Sequence, residues 1–316
     1  MRELPNDLIV AARQRHGVVT ADELEARGFD RSRLSRWARA GLLARVTART
    51  YAVPSLTGPL TVPAAVLTRH PSFVLVRRLA ALVWHLDGFA QWRWGDDVLG
   101  DVVDTGPGRC RSVAVRRGSL APGDVTDRNG LRVTSAGRTL LDLGSAPGVT
   151  VDHLELAVES ALRLGHVTVD DLRLRADAAG PAGAALREML GRRPVGAPPT
   201  ESYAETRFLQ AVVRPLGIDE PERQVNVFVE GRPEPYRVDF LFRRPLGALA
   251  VEVDGERWHG AASTRDDHVR DHLLRIAQVP TLRIEAQRLE QKPGTARAAL
   301  KRELALLEVG AWSVRA

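Results

Sequence analysis

Cysteine is almost absent from this chain: Cys110 is the one cysteine in 316 residues. A lone thiol excludes an internal disulfide and any zinc site built from several thiolates, and it suits a reducing compartment. Lysine is scarce as well, since only Lys292 and Lys301 stand among 45 basic residues. No apolar run approaches the ~18 residues that a membrane span needs. The N-terminal MRELPNDLIVAAR also lacks the continuous apolar stretch of a signal peptide. These absences predict a soluble cytoplasmic protein without a membrane partner. What is present is 44% hydrophobic and 27% charged residues, enough to build real cores and to exclude a disordered or fibrous chain. At ~100–200 residues per domain the length predicts two or three domains.

Charge is unevenly spread. The formal net charge of +6 divides as +4 over residues 1–55, +2 over 56–199 and zero over 200–316. Residues 27–49 hold seven arginines against one acid, Asp30, which makes a local basic patch. Pro54, Gly58, Pro59 and Pro63 interrupt periodicity near 54–63, and GRRPVGAPP at 191–199 reads as a linker. No repeat recurs at a solenoid period. The expected organisation is a module over 1–55, a middle α+β region over 56–190, a linker over 191–199 and a C-terminal module over 200–316.

The first module reads as a winged helix-turn-helix. Leu4, Leu8 and Ala12 sit at helical spacing in a helix over 2–16. Thr20-Ala-Asp-Glu23 is a capping box that starts a short helix ending at Gly28. Asp30 is placed to cap a second helix, RSRLSRWARAG, stopped by Gly41. In it Leu34, Trp37 and Ala38 form an inward stripe, leaving Arg31, Arg33, Arg36 and Arg39 mostly off that stripe. LLARVTARTYAV then reads as a hairpin whose tip, Arg45 to Arg49, is the wing. Arginines on such a helix and wing suit phosphate and major-groove contact, so duplex DNA is the expected partner. The alternative is a solvated charged helix packed on a neighbouring domain.

From Gly17 to Val53 the chain resembles the N-terminal domain of AbiEi-type (abortive infection) antitoxins. Their pattern is a "GVVTAxEL" helix start, a glycine turn, a basic helix and "L.RV..G.Y.V". Here Thr50 stands where that family favours glycine before the tyrosine. The stretches GLRVTSAGRTLLDLG (130–144) and VDHLELAVESALRLG (151–165) resemble the second domain of the same family. That resemblance implies a scaffold or regulatory middle domain, and a toxin or other protein as a candidate partner. His70, His85, Trp84, Trp92 and Trp94 in this region read as packing, and His153 and His166 show no metal-ligand spacing.

The C-terminal module carries the chemistry. A helix over 201–216 precedes three strand candidates at 224–229, 236–242 and 248–254, a helix near 264–276 and a strand at 281–284, giving the order α-β-β-β-α-β. Side chains alternate along a strand, so Glu252 and Asp254 share one face while Val251 and Val253 point to the other. If the second and third strands form a hairpin, Asp239 faces the same side, and Glu205 approaches from the preceding helix. Clustered buried carboxylates are costly unless protonated or bridged by a cation. All-oxygen ligands favour Mg2+ or Mn2+, and such an ion supports phosphodiester hydrolysis.

Residues 200–290 resemble the PD-(D/E)xK nuclease superfamily, and within it the branch related to very-short-patch-repair (Vsr) endonucleases. The matches are Arg237-Val-Asp239-Phe240, Glu252-Val-Asp254-Gly255-Glu-Arg-Trp-His259, Asp267-His-Val-Arg270-Asp271 and Leu282-Arg283. The resemblance implies a restriction-endonuclease-like core with Asp239 and Glu252 as metal ligands and Glu205 as a ligand through water. It places Asp254 where many members have a catalytic lysine. It gives His259 a base or phosphate-binding role and Arg270 or Arg283 the transition-state charge. Two functions follow. One is a Mg2+- or Mn2+-dependent DNA endonuclease targeted by the winged helix, in defence against phage or mobile DNA. The other is a non-catalytic DNA-binding regulator or type IV antitoxin with a degenerate nuclease-like domain.

Overall fold

In the computed structural model the described residues are 4–89, 101–106, 116–255 and 261–309, with only the backbone described at 116–117 and 261–268. The chain is α+β and divides into two compact units, Met1–Thr150 with His166–Leu186, and Val151–Gly165 with Arg187–Ala316.

The first unit opens with α1 (Asn6–Gln14), β1 (Val18–Thr20), α2 (Ala21–Ala26), α3 (Arg31–Arg39), β2 (Ala44–Thr47) and β3 (Thr50–Ala52). The strands form an antiparallel sheet in the order β1-β3-β2. Helix starts follow local chemistry. Thr20 and Glu23 close the expected capping box, with the Glu23 amide donating to Thr20 Oγ1 at 3.2 Å and the Thr20 amide to Glu23 Oε2 at 2.9 Å. Asp30 Oδ1 accepts from the Arg33 amide at 2.7 Å. Gly28 and Gly41 end the helices in left-handed conformations, φ 78° and 73°. Leu8, Leu24, Leu34, Trp37 and Leu43 fill the core beneath. In the β2–β3 turn the left-handed residue is Arg49, φ 61°. Thr50, the position flagged by sequence, lies in β3 opposite Thr20 and Thr47.

The unit continues with α4 (Thr61–Arg69), β4 (Phe73–Leu75), α5 (Arg77–Val83), β5 (Val102–Asp104), β6 (Arg116–Arg117), β7 (Val125–Arg128), β8 (Leu131–Thr134) and α6 (Ala136–Leu143). Its five strands are ordered β6-β5-β4-β8-β7. Asn129 and Gly130 turn the β7–β8 hairpin with φ 55° and 74°, the backbone that a two-residue type I′ turn requires. His70 stacks on Phe73, with ring centroids 4.5 Å apart, and Trp84 Nε1 donates to the Thr134 carbonyl at 2.8 Å. Both are packing roles. Trp92 and Trp94 lie outside the described residues.

Helix α7 (Val151–Arg163), read from sequence as part of the 56–190 segment, groups with the second unit. The chain then returns to the first unit for α8 (Val169–Ala178), and α9 (Ala184–Arg192) spans the division. The second unit continues with α10 (Tyr203–Phe208), β9 (Glu222–Val227), β10 (Tyr236–Arg244), β11 (Gly247–Asp254), α11 (Ala261–Ile276), β12 (Thr281–Glu285), α12 (Ala286–Gln291) and α13 (Pro293–Glu308). Its sheet is ordered β12-β11-β10-β9, antiparallel except for the parallel pair β11–β12. One face, with Phe240, Phe242, Val251 and Val253, packs with Phe208, Leu209, Leu300 and Leu304. The other, with Val238, Leu241 and Ala250, packs with Leu274 of α11.

Among the described residues no helix is long and apolar enough to cross a membrane.

Candidate nucleic-acid interface and carboxylate cluster

The six arginines expected at the first module's surface fall into four environments. Arg36, Arg39 and Arg45 are exposed and form no ion pair with an acid among the described residues. Their nearest bonds are weak ones to local carbonyls, Arg39 Nε to Ser35 O and Arg45 Nε to Thr47 O, both 3.4 Å. Arg31 approaches Glu25 only at 3.8 Å and stays open to solvent. Arg33 is half-buried, its guanidinium 4.9 Å from the Phe29 ring centroid and 5.1 Å from that of Trp37, and it stacks on the aromatic pair. Arg49 is drawn back onto α2 by Asp22 and Glu25. Three free guanidiniums on one helix and the adjoining strand make a surface able to neutralise backbone phosphates.

In the second unit, alternation puts Glu252 and Asp254 of β11 on the α11 side. Glu252 is buried and is bonded through Oε1 to Arg270 Nη2, while Arg283 Nη1 lies 3.5 Å from its Oε2 and 3.6 Å from Asp254 Oδ1. Arg283 also donates to Asp271 at 3.1 and 3.3 Å. Asp239 of β10 accepts from the Val253 amide at 2.9 Å. Glu205, buried on α10, accepts from the Glu201 amide at 2.8 Å and from Ser202 Oγ and Gln224 Nε2, each at 2.9 Å. Burial dominates the electrostatics. It pushes Glu252 up to about 7, with Arg270 and Arg283 pulling the other way and Asp239 and Asp254 adding like-charge repulsion. Burial likewise raises Asp239 and Glu205, and Asp239 adds to the rise at Glu205. Asp239, Glu252, Asp254, Glu205, Arg270 and Arg283 therefore belong to one electrostatic neighbourhood. His259 lies outside the described residues.

Gln224 is a member that the sequence reading passed over. It stands in β9 between the register pairs Val225–Val238 and Arg223–Phe240, opposite Asp239, and adopts φ 54°. A left-handed glutamine inside a strand is strained, and its amide reaches Glu205. Glutamine carries no sequence signal for that conformation.

The oxygen-only donor set suits a hard cation, yet its placement does not. Among the described residues no three His, Cys, Asp or Glu side chains converge closely enough to hold a metal ion. Both oxygens of Glu205 and both of Glu252 already face protein donors. As arranged, arginine supplies the counter-charge.

Residues 7–52 match the family model of the transcriptional regulator AbiEi antitoxin. The match covers the N-terminal three-helix, three-strand segment and meets the resemblance expected there. No curated protein matches the chain.

Proposed function

We propose that this protein is a DNA-binding regulator of the AbiEi antitoxin type, docking on duplex DNA through an N-terminal winged helix. The observation that carries this reading is the acid-free set Arg36, Arg39 and Arg45 on α3 and β2, within the segment matched by the regulator family. Helix α3 supplies the groove-facing element, and the β2–β3 hairpin is the wing. A toxin encoded beside such a regulator is the second partner this reading admits. The deciding experiment is fluorescence anisotropy of the full chain with a labelled duplex from upstream of its own coding sequence. Binding should weaken as salt rises and be lost in Arg36→Ala with Arg39→Ala; a duplex bound equally well by that variant would end the proposal.

A second reading is favoured by one observation, the gathering of carboxylates whose proton affinity burial raises, Glu252 and Glu205 buried and Asp239 half-buried, with Asp239 adding repulsion at the other two. Here the C-terminal unit is an endonuclease related to the Vsr branch, using Mg2+ or Mn2+ once Glu252 is released from its arginines. Its test is nicking of supercoiled plasmid in either metal. Cleavage abolished by Asp239→Ala and Glu252→Ala carries this reading, and an intact plasmid across both metals removes it.

A further inference from the structure

The turn between β2 and β3 ends on Arg49, and four bonds tie this residue to α2. Its carbonyl accepts the Ala21 amide at 2.8 Å, in the first turn of that helix. Its Nη2 donates to Glu25 Oε2 at 2.8 Å and also to Asp22 Oδ1, while Nη1 meets Glu25 Oε1 at 3.4 Å. Asp22 and Glu25 stand three apart on α2, so one guanidinium spans both. Its backbone is left-handed, φ 61°, a conformation that a non-glycine residue holds only when its surroundings impose it. Acids pair with other arginines of this module too, Glu23 with Arg15 and Asp7 with Arg27, but Asp22 and Glu25 are the pair that meets the wing, where they would repel phosphate, and that placement calls for a different task.

We propose that Arg49 is a positioning residue, a strut that fixes the wing against α2, and that Asp22 and Glu25 are its anchors. This rests on the DNA-binding reading above and assigns phosphate contact to Arg36, Arg39 and Arg45 instead. The strut lets the wing meet DNA already ordered, so that ordering entropy is not lost on binding.

The test neutralises the anchors, Asp22→Asn with Glu25→Gln, in the full chain, alongside Arg49→Gly and Arg36→Ala. Anisotropy with a fluorescein-labelled random-sequence duplex is measured across a salt series, and amide hydrogen exchange is followed over residues 45–50 without DNA. Removing two negative charges should strengthen DNA binding on electrostatic grounds. The strut predicts the reverse: binding about fivefold weaker or more, because the wing must now be ordered by DNA. The salt slope should stay at the parent's value and exchange in the wing should be about tenfold faster. Arg49→Gly, which suits the left-handed turn, should behave alike. Arg36→Ala should instead lower the slope by about 0.9, one phosphate contact. Tighter binding with a steeper slope in the anchor variant, or unchanged wing exchange, overturns the strut. A parent chain that binds no duplex removes the DNA-binding reading itself and the strut with it, an outcome told apart by that blank.

Discussion

Glu159 Oε1 and Arg223 Nη1 meet at 3.0 Å with both side chains 1% exposed. The same Glu159 oxygen accepts from Arg193 Nε at 3.1 Å, and its other oxygen accepts from the Thr200 amide at 3.1 Å. Helix α7, β9 and the segment after α9 are therefore held by one buried carboxylate. Truncating it leaves Arg193 buried without a counter-charge and Arg223 with Glu220 alone, a change that costs about 3–5 kcal/mol. Glu159→Ala should lower the urea midpoint of the second unit accordingly. Asp152→Asn, at the exposed Asp152–Arg192 pair 3.3 Å apart, should shift stability by less than about 1 kcal/mol. Equal effects from both would show that burial is not what gives Glu159 its weight.

Glu252 sets a pH dependence of definite sign. The folded chain keeps its proton to about pH 7, against an ordinary value of 4.5, so the folded state holds the extra proton between those limits. Stability then falls as pH rises through that window and levels off above it. At about 1.4 kcal/mol per pH unit over that window, the fall is on the order of 3 kcal/mol. Glu252→Gln, which resembles the protonated form, should be more stable than the parent at pH 8 by on the order of 1–3 kcal/mol and equal to it near pH 4.5. Thermal melts at the two pH values decide, and a variant that is less stable at pH 8 would show that the arginine pairs outweigh burial.

How much of this was legible depends on the range of the causes. Thr20 with Glu23, and Asp30 before α3, act within three residues, and sequence placed each cap where it is observed. The period of two along β11 separated Glu252 and Asp254 from Val251 and Val253, again a local rule. Strand β9 begins at Glu222, earlier than the apolar pattern indicated, because Arg223 reads as a solvated flank until Glu159 is brought to it across the fold. The same limit hid α7's allegiance: Glu155 and Glu159 lie on a mostly apolar helix, and their partners Arg214 and Arg223 come far later in the chain. Arg49 and Arg36 look alike in sequence, and only the through-space approach of Asp22 and Glu25 distinguishes them.

The arginines of α3 and β2 should also separate by readout. Arg39→Ala and Arg45→Ala should each weaken duplex binding and lower the salt slope by about 0.9. Arg33→Ala should leave that slope unchanged and reduce stability by about 0.5–1 kcal/mol, because its guanidinium rests on Phe29 and Trp37. Salt-dependent anisotropy together with thermal melting measures both quantities. A slope lowered by Arg33→Ala would place that residue among the phosphate contacts.

The connection between α8 and α9 offers a test of packing that is independent of function. A Cβ built on Gly183 would lie 2.0 Å from the Ala176 carbonyl oxygen, whereas one on Gly180 meets nothing within 4 Å although its φ is 56°. At Gly183 the obstacle is backbone at the end of α8, which no rotamer change can relieve. At Gly180 the only penalty is the left-handed conformation, about 1 kcal/mol. Gly183→Ala must displace the α8 terminus and should cost at least about 1–3 kcal/mol. Melting temperatures of the two variants should therefore rank parent, Gly180→Ala, then Gly183→Ala. A Gly183→Ala chain as stable as Gly180→Ala would mean that Gly183 does not approach the end of α8 as closely as this backbone contact requires.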